Sequence, residues 1–97
     1  MAEEPKPNIQ FTGLILSLSQ AAMAQMGKIT NPMTGKIERN LDQAKTTIDM
    51  MEMLREKTKG NLVKDEEKLV NNILANLQLN FAEEVKKDIE KKTKDTK

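Results

Sequence analysis

With no histidine and no cysteine among its 97 residues, the chain lacks the usual general acid–base at neutral pH and the most readily activated nucleophile. Carboxylates are what remain for chemistry. Glu66 and Glu67, like Glu83 and Glu84, are adjacent pairs that splay apart on a helix, while Glu52 and Glu56 share a face near Lys45 and Lys59. All six are expected on a solvated charged surface. No catalytic residue and no cofactor is assigned, and an enzyme is not expected. Thiolate and imidazole ligands are missing and no spacing matches an oxygen-ligand calcium loop, so no metal site is expected either.

Residues 30–40 offer the best candidate for a ligand. Thr34, Gly35, Lys36 and Arg39 lead into Asn40, and a helix starting there would present free backbone N–H groups and a dipole that favour an anion. This is not a phosphate-loop motif, because Ile37 follows Lys36 and Thr30 stands where the earlier glycine is required. Turn chemistry explains the same residues: Asn31-Pro32 initiates and Gly35 supplies a positive φ. Nucleic acid is not expected as a partner. Acidic residues interleave Lys86, Lys87, Lys91, Lys92, Lys94 and Lys97, the formal charge is only +1, and there is no Trp or Tyr to stack a base.

The elements that would position these groups are helical. Residues 40–60 carry their own start and stop: Asn40 as N-cap with Gln43 as capping-box partner, Asp42 in the first turn, Lys57 and Lys59 in the last, and Gly60 to close. Leu41, Ala44, Ile48, Met51 and Leu54 recur at helical spacing and form the core face. Residues 11–26 form an earlier helix with Phe11, Leu14, Ile15, Leu18, Ala21, Ala22 and Met26 on one side, capped by Thr12 or, one turn earlier, by Asn8. Gln25 lies within that face and needs a hydrogen-bond partner if buried. Ile29 and Ile37 flank the intervening turn, as a short hairpin or as anchors of a pinned loop, the latter being favoured. A third helix, the longest, starts near Asp65 and carries Leu69, Val70, Ile73, Leu74, Leu77, Phe81 and Val85.

This combination resembles the small bacterial domain-of-unknown-function family number eighteen forty-four over residues 11 to about 81. The residues that carry the likeness are the apolar helix ending in Gly27, the Asn31-Pro32-Met33-Thr34-Gly35 turn, Asn40-Leu41, Ala44, Ile48-Asp49 and Leu54. Lys57-Thr58-Lys59-Gly60-Asn61-Leu62 completes them, with Glu67 and Leu69 after it. Val63 departs from the pattern, since similar sequences usually have a capping Thr there. The resemblance implies a small helical fold and a bacterial, cytoplasmic setting, and no activity.

The expected architecture is therefore all-α. A helix two–helix three hairpin packs on an N-terminal helix within residues 9–90, between a flexible leader (1–8) and a flexible charged tail (91–97). No charge falls between Lys6 and Lys28, yet Ser17, Ser19, Gln20 and Gln25 break the apolar run well short of the ~20 residues a membrane span needs. A core helix is expected there, twice packed, with peripheral membrane contact as a lesser alternative. Leu16 and Met23, and Met50 and Met53, fall outside the two core faces and form the candidate interface. The functional expectation is a self-associating, non-enzymatic interaction module, whose partner is a second copy or another protein. The alternative is an anion- or nucleotide-responsive protein using residues 30–40.

Overall fold

The computed structural model describes residues 6–95 and contains three helices, α1 (Ile9–Gln25), α2 (Leu41–Lys57) and α3 (Lys64–Asp95). Among the described residues the only strand-like pairing is an isolated antiparallel bridge between Met26 and Arg39. Of the expected leader, residues 1–5 lie outside the described part. Of the expected tail, 96–97 do so, while α3 continues through 91–95.

Local chemistry sets each boundary. Asn8, rather than Thr12, caps α1: its side chain accepts from the Phe11 N–H and its carbonyl takes the Thr12 N–H. Asn40 caps α2 as expected, accepting from the Gln43 N–H at 3.1 Å. Gly27 and Gly60 take the left-handed conformation just beyond α1 and α2, with φ of 80° and 88°. At Gly27 a side chain would also press on the Arg39 stem, 3.3 Å from where its Cβ would lie. Val63 leaves α3 without a capping hydroxyl, but its own N–H donates to Glu66 Oε1 at 2.9 Å, one half of a capping box.

Paired contacts give the directions. Glu52 meets Gln78 while Arg55 meets Asn71, so α2 and α3 run antiparallel. Asn8 meets Glu66 while Lys28 meets Glu84, so α1 and α3 run parallel. The core between them comprises Ile15, Ala22 and Met26 of the first segment, Ala44, Ile48 and Met51 of α2, and Val70, Leu74 and Leu77 of α3. The element most closely engaged with both others is α2, not α1. Gln25 does find its partner: its Oε1 accepts from Thr47 Oγ1 at 2.7 Å.

The loop between α1 and α2 is not an isoleucine hairpin. Ile29 is half-buried and Ile37 is 67% exposed. The ends of the loop are held instead by the Met26–Arg39 bridge and by the Asn40 N–H donating to Gln25 O at 2.7 Å. Between them Asn31 organises the turn. Its carbonyl accepts from Gly35 N, its N–H donates to Lys36 O, and its Oδ1 takes the Met33 N–H, an Asx-turn.

Candidate functional site

Residues 30–40 come together as a built loop, but most of their polar side chains are committed to one another or to α3. Glu38 Oε1 accepts from both Thr34 Oγ1 (2.6 Å) and Asn31 Nδ2 (3.2 Å). The Asn40 side chain is committed to its capping bond. Arg39 reaches α3, where its guanidinium meets both oxygens of Asp88 at 2.8 and 3.3 Å and Glu84 Oε1 at 3.1 Å. The anion this arginine binds is internal. Of the five residues expected to hold an external anion, Lys36 keeps an exposed side chain, while the Gly35 N–H is donated to the Asn31 carbonyl at 2.8 Å.

Glu84 is the centre of that cluster, and the solvated face expected for it is wrong. It is 5% exposed, and beyond Arg39 it takes Lys28 Nζ at 3.0 Å and Lys87 Nζ at 2.9 Å. The hydrogen bond from Lys87, with those from Lys28 and Arg39, outweighs the desolvation and holds its carboxyl at about 2, well below the usual range. Correspondingly, Glu84 raises the Lys28 pKa, and Asp88 followed by Glu84 raises that of Arg39. Glu66 is buried too, at 4% exposure, and accepts the Asn8 N–H at 2.7 Å with the oxygen not used by Val63. Its one carboxylate thus joins the N-termini of α1 and α3. The signal for both lay in the spacing: positions 66, 70, 73, 77, 81 and 84 form one unbroken helical stripe, with glutamate at each end of an apolar run. These carboxylates are structural anchors, and among the described residues no group of His, Cys, Asp and Glu side chains is arranged to hold a metal ion.

Several large apolar side chains also face outward. Met33, at the tip of the turn, is 90% exposed. With Asn31, Pro32, Glu38 and Arg39 of the loop it lines a groove of about 560 Å³ whose residues are largely polar, to which α1 contributes Ser17, Gln20, Ala21 and Ala24 and the start of α2 Asn40 and Gln43. Leu14 lies two turns before Ala21, and Met50 two turns after Gln43; since seven residues are close to two whole turns, each prolongs its wall of the groove. Leu14 is 45% and Met50 42% exposed, and Met53 stands one turn beyond Met50.

The four expected interface residues do not form one patch. Met23 packs against the core, half-buried. Leu16 is half-exposed but lies nine residues from Gln25, half a turn out of phase, so it points away from the side of α1 that meets α2. Met50 and Met53 remain, and Leu14 and Met33 join them. Leu14 was hidden because helical phase places it at the edge of the core face, and Met33 because a turn carries no periodic signal.

A family model described as Domain of unknown function (DUF1844) matches residues 8–83. No curated protein and no solved structure matches the chain.

Proposed function

The chain belongs to the DUF1844 family, a domain of unknown function, and from that premise we propose that it is a non-enzymatic interaction module that self-associates through the outer face of the α1–α2 pair. The observation that carries this reading is the alignment of the exposed Leu14, Met50 and Met53 with the walls of the groove that Met33 lines. Exposed large apolar side chains are ordinary singly, whereas a contiguous patch marks a contact surface. Methionine suits such a surface because its unbranched thioether adapts to what it meets. Charge does not oppose association, since α1 carries none and the whole chain sums to +1. An external-anion site has less support, because Arg39 is already satisfied by Glu84 and Asp88.

Sedimentation equilibrium over a wide concentration range tests the proposal. The natural chain should form a dimer, and Leu14→Asp or Met50→Asp should weaken it by about thirtyfold or more, the effect of removing an apolar anchor from an interface centre. Leu16→Asp, on the other side of α1, should leave the equilibrium unchanged. A natural chain that stays monomeric throughout would remove self-association as its role.

A further inference from the structure

The described residues include six methionines, and the fold divides them by exposure. Met26 and Met51 are 0% exposed in the core and Met23 is half-buried against it, whereas Met33, Met53 and Met50 stand at 90, 47 and 42%. We infer that Met33 is a reversible oxidation site: a peroxide converts its thioether to the sulfoxide ahead of every other described methionine, and the three-helix fold is kept.

The step needs only the sulfur and a two-electron oxidant. A sulfur lone pair attacks one oxygen of hydrogen peroxide, the O–O bond breaks as the S–O bond forms, and the other oxygen leaves as water. Sulfur is oxidised by two electrons and the peroxide is reduced by two. With no Cys, His, Trp or Tyr in the chain, methionine meets such an oxidant without competition.

Position decides among the six, because susceptibility follows exposure. The turn that presents Met33 is fixed by its own backbone: the Met33 N–H donates to Asn31 Oδ1 at 2.8 Å, and the Asn31 carbonyl accepts from the Gly35 N–H at 2.8 Å. Neither bond uses the thioether, and Met33 is not among the residues packed on the core. Its sulfoxide therefore costs the fold little. The converse holds inside. A sulfoxide at Met26 or Met51 would bury a strong hydrogen-bond acceptor among Ile15, Ile48 and Leu74, and an oxidant reaches either sulfur only when the helices part. The harmless site is thus the fast one. Because Met33 also lines the groove beside the proposed interaction face, its oxidation replaces an apolar group there by a polar one.

The dilute natural chain, treated with hydrogen peroxide and followed by peptide mass mapping, should gain its first oxygen at Met33. The initial rate there should exceed those of Met50 and Met53 by about twofold or more, following exposure, and those of Met26 and Met51 by about thirtyfold or more. Met33→Leu should remove the first phase and leave the slower ones. The singly oxidised chain should keep the helical circular dichroism and thermal midpoint of the natural chain. Methionine sulfoxide reductases for the two sulfur epimers, supplied with a dithiol, should restore its mass, the dithiol becoming a disulfide and the oxygen leaving as water. A rate at Met33 no higher than at Met50, Met53 or Met23 overturns the assignment. A Met33 sulfoxide that lowers the helical signal or speeds oxidation of Met26 and Met51 overturns the separation of this modification from the fold, and one that neither reductase removes overturns its reversibility.

Discussion

Glu84 shows how far one side chain can differ from its neighbour. Glu83, adjacent in sequence, has a side chain 53% exposed and makes one long contact to Lys28 at 3.4 Å, whereas Glu84 is buried among Lys28, Arg39 and Lys87. Its partners reach solvent themselves, the Arg39 side chain being 36% and that of Lys87 65% exposed, so water remains close and the contribution to stability belongs at the modest end for charged hydrogen bonds, about 1–2 kcal/mol. The pH dependence follows from its position at about 2, below the usual 4.5. A carboxylate with a depressed folded pKa stabilises fully above about pH 4.5, and that stabilisation is lost as pH falls towards 2. Urea denaturation between pH 6 and pH 2.5 should therefore show stability falling through this window, and Glu84→Gln should flatten the fall while lowering stability at pH 6. An unchanged acid limb in the variant would mean that other carboxylates dominate the transition.

At the scale of elements, α3 acts as a ruler for the rest. Glu66 and Glu84 are 18 residues apart, five whole turns at 3.6 residues each, so both point to the same side about 27 Å from one another. The 17 residues of α1 span about 26 Å, and the two carboxylates hold its two ends, Asn8 at one and Lys28 at the other. Glu66→Gln tests the first clamp. The amide can accept from one of the two N–H groups but turns its own N–H₂ against the other, leaving a part-buried donor without its acceptor at a cost of about 1 kcal/mol. The stability loss should be accompanied by faster amide exchange in the first turn of α1 and around Val63; normal protection there would show that the clamp is dispensable. Much of this framework was legible in the sequence. The three helices, the Asn40 cap, the Gly27 and Gly60 closures and the need of Gln25 for a partner all follow from local pattern and conformational preference. Of the clamps only the phase was legible, a glutamate at each end of the apolar stripe from 66 to 84; their partners were not, because a glutamate on a helix is ordinarily solvated and only a residue distant in sequence reverses that. Arg39 failed for the same reason: its proximity to a helix N-terminus suggested an external anion, while its actual anions lie 45 and 49 positions further along the chain.

The whole molecule is long and thin. Its principal extents are 69, 26 and 16 Å and its radius of gyration is 16.4 Å, against about 13 Å for a compact domain of this length. Part of that length is α3, whose 32 residues span about 48 Å and outrun both other helices. The buried apolar set includes three alanines, and neither phenylalanine is fully buried. A core this slight leaves the single chain with a small margin, and the proposed pairing would be a substantial addition: at a concentration one hundred times the dissociation constant, a partner that binds only the folded chain adds about 2.7 kcal/mol. Thermal stability should accordingly depend on concentration. Calorimetry of the natural chain from micromolar to millimolar concentrations should show a rising Tm. Met50→Asp should remove the rise while leaving the Tm at the lowest concentration nearly where it was, since Met50 contributes little to the fold of one chain and much to the face it offers. A variant that loses Tm equally at every concentration would place Met50 within the monomer's own stability, and a natural chain whose Tm is flat would remove the dimer from the account of how so thin a fold persists.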